Sequence, residues 1–279
     1  MRPLTRALDD ATRILGQTSD TPRLDAELLM AEALGIDRDR LILDPPNRKT
    51  APPRFADMIE RRKQGEPVAY ITGRRAFWDI ELHVGPGVLV PRPDSEILIA
   101  SAIEHFSGTA GPMRILDLGT GPGTLLLAAL DLWRHATGVG IDRSRRALSF
   151  AAANARRLGF EDRAVLRYGD WATGIDERFD LILCNPPYVR TGDSLGPGVR
   201  EYEPEEALFA GEDGLDAYRA LRSELPRLIT PGGLAAVEIG FDQAEAVTGI
   251  LGQDGLDMRL ADDLGRRPRA VLLWPETRK

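Results

Sequence analysis

The sequence is poor in residues that staple or metallate a fold: its 279 residues include one cysteine and three histidines. A single cysteine excludes a disulfide framework and a thiolate zinc site, and it fits a reducing compartment. His83, His105 and His135 share no motif, so they are read as surface or packing residues and no metal is expected. Long apolar runs are missing as well. None approaches the roughly 18 residues that a membrane span needs. The amino terminus mixes Arg2, Arg6, Asp9 and Asp10 with apolar residues and lacks the continuous apolar core of a signal peptide. A cytoplasmic protein without membrane attachment is therefore expected. Positive charge is in deficit: a formal net charge of -7 argues against broad affinity for phosphate backbones, so no stable nucleic-acid binding is expected. The local exception is Arg54, Arg61, Arg62, Lys63, Arg74 and Arg75, either a solvated helix face or a basic patch that docks a partner. Repeats, heptads and low-complexity tracts are also lacking, which sets aside solenoids and coiled coils.

With 43% hydrophobic residues, the chain can bury one large core and a small satellite. Leu4, Leu8, Ala11 and Leu15 recur at helical spacing. Asp20-Thr21-Pro22 reads as an N-cap followed by proline in the first turn of a second helix, with Leu24, Leu28 and Ala31 on its inner face. Short helices over 38–43 and 53–63 complete a helical bundle, assigned to residues 1–73. Alternating stretches between Phe77 and Val90, broken by Gly85-Pro86-Gly87, predict a β-hairpin linker over 74–92. Residues 93–279 read as a β/α series, with a helix from Ser95 and strands near 113–118, 138–142, 164–168, 179–184, 233–239, 256–260 and 270–274. The fold class is α/β with a mainly parallel, doubly wound sheet. A long loop between Val189 and Leu215 suits substrate gating. Its Glu201, Glu203, Glu205 and Glu206 read as a solvated acidic run that could also meet basic partners.

The chemistry concentrates at strand ends. Asn185-Pro186-Pro187-Tyr188 follows the apolar run Leu181-Ile182-Leu183-Cys184, a buried parallel strand, and so sits where open α/β sheets place ligands. The prolines fix φ and carry no N–H, so the turn offers carbonyl oxygens and an Asn amide from a rigid frame. Two acceptors there can take both protons of a planar NH2 group while the Tyr188 ring covers one face. Upstream, the strand Met113 to Leu118 runs into Gly119-Thr120-Gly121-Pro122-Gly123-Thr124 and an apolar helix, the layout of a nucleotide cradle. Thr124 stands where a pyrophosphate fingerprint has its third glycine, so dinucleotide binding is the weaker reading. Asp117 can meet an amino group. Asp142 ends the next strand about twenty residues beyond the glycines, where a carboxylate takes ribose hydroxyls. Asp94 and Ser95 serve equally as helix caps or as functional residues. Cys184 reads as a small buried hydrophobe, and Asp263 and Arg269 as fixing the last hairpin.

Asp117 to Gly123 with Asp142 and Asn185 to Tyr188 resembles the S-adenosylmethionine-dependent amino-methyltransferases. Within them the chain is similar to the HemK/PrmC family, the glutamine N5-methyltransferases of peptide chain release factors. Gly65 to Gly73, Phe77-Trp78, Val90 to Glu96, Gly169-Asp170-Trp171, Val199 to Pro204 and Asp263 to Arg269 carry the likeness along nearly the full length. Two residues depart from the family's pattern: Pro122 where Thr is common, and Ala76 where an acid precedes the Phe-Trp pair. The resemblance implies a Rossmann-like seven-stranded methyltransferase sheet with a small N-terminal substrate-docking bundle. It implies S-adenosyl-L-methionine held by Asp117, Gly119, Thr120, Gly121, Pro122, Gly123, Asp142, Asp170, Trp171 and Asn185, with Trp171 along the adenine. It implies catalysis by Asn185, Pro186 and Tyr188, with Pro187 joining them in binding substrate, and a release factor as the partner of an expected monomer. A nucleic-acid amino-methyltransferase is the alternative, since an exocyclic base amine is also a planar NH2. A binder without activity would be expected to have lost Asn185 or the glycines, and both are present.

Overall fold

The computed structural model describes residues 4–44, 50–253, 255–263 and 265–276. Leu264, within the 263–269 segment singled out above, lies outside them. The chain forms two compact units: Met1–Arg74 with Val84–Pro86 and Ser194–Glu203, and Arg75–His83 with Gly87–Asp193 and Pro204–Lys279.

The first unit is helical, with helices over Leu4–Leu15, Pro22–Leu34, Arg38–Leu43, Pro53–Lys63 and Val68–Thr72. Thr21 precedes Pro22 at the N-cap position but gives no side-chain cap; its hydroxyl donates instead to Asp25 Oδ1 at 3.1 Å. The predicted inner face of this helix holds only in part: Ala31 is buried, Leu28 is half-buried and Leu24 is exposed, and the buried residues also include Ala26, Leu29, Met30 and Ala33 together with Asp25 and Glu27. The acids can lie inside because Arg62 Nε meets Asp25 Oδ2 at 2.7 Å and Arg23 Nε meets Glu27 Oε1 at 2.6 Å. An apolar period cannot register a charged pair turned inward.

The basic cluster is likewise engaged. Arg61 pairs with Glu66, Lys63 with Glu60 and Arg74 with Glu32; Arg54 and Arg75 donate to the Ala33 and Pro91 carbonyls. Residues 194–203 pack within this unit so closely that a Cβ on Gly198 would sit 1.8 Å from the Gly65 carbonyl oxygen. Glu203 is buried there, a correction to the solvated run, because its segment folds into the unit. The stretch from 189 to 215 is not structureless: it carries a helical turn at Val199–Tyr202, a 3-10 turn at Glu205–Ala207 and a bridge between Val189 and Phe209.

The strands are β1 (Arg74–Phe77), β2 (Ile80–His83), β3 (Arg114–Leu118), β4 (Thr137–Asp142), β5 (Ala164–Tyr168), β6 (Phe179–Cys184), β7 (Ile229–Glu238), β8 (Leu256–Asp262) and β9 (Pro268–Pro275). The first two form a hairpin, as expected in kind, but it turns at Trp78-Asp79 and ends at His83, before the Gly85-Pro86-Gly87 break where the sequence suggested its turn. The other seven form one sheet in the order β5-β4-β3-β6-β7-β9-β8. Pairing is parallel from β5 through β7, while β9 runs antiparallel to both neighbours. The central strands read as continuous apolar runs because helices cover both faces, and Leu116, Leu118, Ile182 and Cys184 are fully buried. The chain steps outward from β3 to β5 and then returns to the other side of β3 with β6. That reversal opens a crevice at the carboxyl ends of β3, β4 and β6.

Candidate active site

Register places the named residues at one sheet edge. Asp117 of β3 lies beside Gly140 of β4 and Leu183 of β6, so Asp142 and Asn185 follow at the ends of the flanking strands. Gly119, Gly121 and Gly123 all take positive φ, at 73°, 57° and 89°, a path that residues with a Cβ rarely adopt. This strand-to-helix turn is pinned from β4: Gly119 N and Thr120 N both donate to the Ile141 carbonyl, and Gly121 N donates to Asp142 Oδ2 at 2.8 Å. Asp142 Oδ1 accepts from Ser144 N at 2.7 Å. Gly140 makes room for Thr120, whose Oγ1 would lie 2.9 Å from a Cβ there. That hydroxyl donates to Asp117 Oδ2 at 2.6 Å, and Leu126 N donates to the same oxygen at 3.1 Å. Asp117 Oδ1 is buried and, among the described residues, without a hydrogen-bond partner. Burial pushes this carboxyl up to about 7 against the two hydrogen bonds, and burial also raises Asp142.

One cavity gathers most of the predicted residues. Asp117, Gly119, Thr120, Gly121, Pro122, Asp142, Asp170, Trp171, Asn185 and Pro187 line it, and it holds about 1000 Å³ of space, part of it open to solvent. Trp171 has φ 48°, an uncommon backbone state for a residue with a Cβ, and packs partly against the core. Gly123, Pro186 and Tyr188 are not on the lining. Gly123 starts the helix Thr124–Leu132. Pro186 is buried. Tyr188 directs its hydroxyl inward to Glu238 Oε1 at 3.4 Å, and its carbonyl accepts from Gln243 Nε2 at 3.0 Å. Burial raises the Tyr188 phenol, which therefore stays protonated.

Sequence reasoning left one neighbour undecided between a cap and a functional role and missed a second. Ser95 makes no cap; its Oγ accepts from Asn185 Nδ2 at 2.9 Å. Glu238, 1% exposed, lies beneath the same turn. A lone acid closing the apolar stretch Leu234-Ala235-Ala236-Val237 was the available signal. Cys184 is buried, with its thiol held well above the ordinary range. Asp94 pairs with Arg269, which also meets Asp263 at 3.4 Å, so the last hairpin is tied down as expected.

Comparison with known proteins agrees with this arrangement. Residues 6–73 match the PrmC N-terminal domain and residues 111–243 a methyltransferase domain. The release factor glutamine methyltransferase of Caulobacter vibrioides is 43% identical over 91% of this chain and 89% of its own. That of Rhodospirillum rubrum is 41% identical over 96% and 84%. A methyltransferase structure from Pyrococcus furiosus superposes with a TM-score of 0.52 at 16% identity, covering 78% of this chain and 98% of its own, which speaks for the fold alone. With both of its segments matched and more than two thirds of each relative covered, the chain belongs to the release factor glutamine methyltransferase family.

Proposed function

We propose that this enzyme transfers a methyl group from S-adenosylmethionine to the side-chain amide nitrogen of a glutamine in the Gly-Gly-Gln loop of peptide chain release factors. The observation that carries this reading is that Asn185 opens onto the same cavity as the glycine turn and the two strand-end acids. The residues fit the methyl donor: the unpartnered Asp117 Oδ1 suits its ammonium, the glycine turn leaves backbone bare, and the Asp142 oxygens keep lone pairs for ribose hydroxyls. Asp170 and Trp171 would flank the adenine. When bound, the donor supplies an electrophilic methyl whose leaving group is the neutral thioether, and the methylated nitrogen gives up one proton to solvent.

The chain must then improve a poor nucleophile. An amide nitrogen shares its lone pair with the carbonyl, a resonance worth a rotation barrier of roughly 18–20 kcal/mol. Asn185 Oδ1 accepts one N–H, which raises electron density on the nitrogen and aims its lone pair at the cavity; Pro186, buried and off the lining, is not given the second acceptor role expected of it. Pro187 keeps the turn stiff, and Tyr188 anchors it from below. Asn185 is neutral and cannot be protonated away. Among the described residues no helix is long and apolar enough to cross a membrane, and no group of His, Cys, Asp and Glu could hold a metal. A cytoplasmic monomer that binds no nucleic acid stably completes the reading; its support is the acidic balance and the ion-paired state of the basic cluster.

Incubation with methyl-labelled donor and release factor, beside the same factor carrying Gln→Asn in its Gly-Gly-Gln loop, tests the acceptor. Label on the first alone is expected. Label on both would reject the assignment, and label on added nucleic acid would favour a base amine instead.

A further inference from the structure

Pro186 and Pro187 carry no N–H, so the turn from Asn185 to Tyr188 depends on its carbonyls and side chains to be held in place. One buried glutamine supplies such a hold. Gln243 Nε2 donates to the Tyr188 carbonyl at 3.0 Å and to the Gly214 carbonyl at 3.2 Å, one proton for each. Its Oε1 accepts from Gly240 N at 3.1 Å, with the Tyr218 hydroxyl 3.4 Å away. Carbonyls at one end and donors at the other leave this amide a single orientation.

The seat is closely built. Gln243 is 3% exposed. A Cβ on Gly214, where φ is 72°, would lie 2.5 Å from the Tyr188 carbonyl oxygen and 2.9 Å from Gln243 Nε2, and one on Gly240 would lie 2.8 Å from Oε1. Glycine thus leaves the amide room on both sides. Gln243 stands at the N-cap position of the helix Ala244–Leu251 but makes no side-chain cap. Its amide serves residues 29 and 55 positions away in place of its own helix.

Tyr188 and Gly214 bracket the loop that carries Pro204, Glu206 and Ala207 onto the cavity lining. One amide therefore closes this loop at its base and holds the end of the acceptor turn. With φ fixed at Pro186 and Pro187, a shift of the Tyr188 carbonyl is passed along the turn to Asn185 and is not absorbed between them.

We infer that Gln243 is a positioning residue for methyl transfer: by clamping the Tyr188 carbonyl to Gly214, it fixes where Asn185 meets the acceptor amide. This rests on the reading that Asn185 receives that amide. Misplacement by about 1 Å can cost on the order of 100-fold in rate. The donor contacts at Asp117 and Asp142 stand on β3 and β4 and do not pass through the clamp.

The test compares Gln243→Met, Gln243→Glu and Gly214→Ala, assayed well below their unfolding midpoints. Methionine matches the length of glutamine but donates nothing, an ionised glutamate turns an oxygen toward two carbonyls, and alanine at 214 pushes into the clamp while Gln243 stays. Turnover on release factor should fall about ten-fold or more in each, with a smaller loss in donor affinity by calorimetry. The double variant Gln243→Met/Gly214→Ala should be no worse than the poorer single one, since both break one contact. A role in stability alone would lower the unfolding midpoint without this split. Side-chain amide NMR of the free protein supplies a readout that needs no substrate. The Gln243 Nε2 protons, assigned by their loss in Gln243→Met, should be protected from exchange. In that variant the Asn185 amide signals, assigned by their loss in Asn185→Ala, should move, while those of Asn154, bound to the Pro122 carbonyl of the glycine turn, stay in place. Full turnover in Gln243→Met, unmoved Asn185 signals, or equal losses of turnover and donor affinity would overturn the inference. Should Gln243→Glu or Gly214→Ala fail to fold, Gln243→Met decides alone. A wild type that leaves release factor unlabelled, with the Asn185 signals still displaced in Gln243→Met, would instead defeat only the assigned acceptor.

Discussion

The side chain of Asn154 donates to the Pro122 carbonyl at 2.9 Å and thereby ties the glycine turn to the helix Arg145–Leu158. The same amide exchanges two bonds with His83, accepting from its N–H at 2.7 Å and donating to its carbonyl at 3.0 Å. One buried residue thus joins the end of β2 to the turn that lines the cavity. Pro122 offers no N–H of its own, but its carbonyl is the anchor.

Asn154→Ala should lower the stability of the protein by about 2–4 kcal/mol, since three hydrogen bonds go and buried backbone groups lose partners. Urea denaturation measures this. Donor affinity should fall in parallel because the turn loosens; a variant with wild-type affinity would show that the turn keeps its shape without Asn154.

Asp117 links pH to both stability and binding. Its carboxyl sits near 7 in the folded chain against an ordinary value near 3.8. Between those values the folded state holds a proton that the unfolded state has lost, so stability falls as pH rises through the window and levels off above it. The penalty at pH 8 is up to about 4 kcal/mol, at about 1.36 kcal/mol for each pH unit. Asp117→Asn, whose carbonyl can still accept from Thr120 and Leu126, should therefore be more stable than the wild type at pH 8 and close to it at pH 4. Its affinity for a cationic donor should collapse, whereas wild-type affinity should rise with pH up to about 7. Thermal denaturation and calorimetry at several pH values would reveal an opposite slope if the sign is wrong.

Gly140 tests the fit between β4 and the turn. A Cβ there would lie 2.9 Å from Thr120 Oγ1 and 3.0 Å from methyl groups of Leu126 and Leu166. Gly140→Ala should cost about 1–3 kcal/mol by overpacking and should weaken donor binding by displacing the hydroxyl that holds Asp117. A neutral substitution in both assays would mean that the neighbouring side chains give way freely.

Asn185→Ala separates the two ligands. Removing the outward carbonyl should reduce turnover by about ten-fold or more, with a smaller loss in donor affinity. Equal losses in both would mark Asn185 as mainly a donor contact.

Much of the sheet was legible because its strands are short apolar runs bounded by glycine, proline or an acid. Met113 to Leu118 and Leu181 to Cys184 needed only their composition to be placed, and the strand-end acids followed from spacing. The tie between Ser95 and Asn185 was not legible in that way, because it is a contact across 90 positions that no local pattern encodes. Tyr188 shows the same limit: the sequence puts it in the turn, but only packing turns its hydroxyl toward Glu238 and away from the cavity lining. In the helical unit, the burial of Asp25 and Glu27 was not legible because it depends on an arginine from another helix or another turn.

The first compact unit is assembled from three separate lengths of chain, 1–74, 84–86 and 194–203. Severing the backbone near residue 74 would strip the last two of the surface they fold upon, leaving the segment with Gly198 and the buried Glu203 exposed within the remaining fragment. The helical unit is thus no detachable appendage, and a shortened protein beginning at the hairpin would carry an unfolded stretch only a few residues downstream of Asn185.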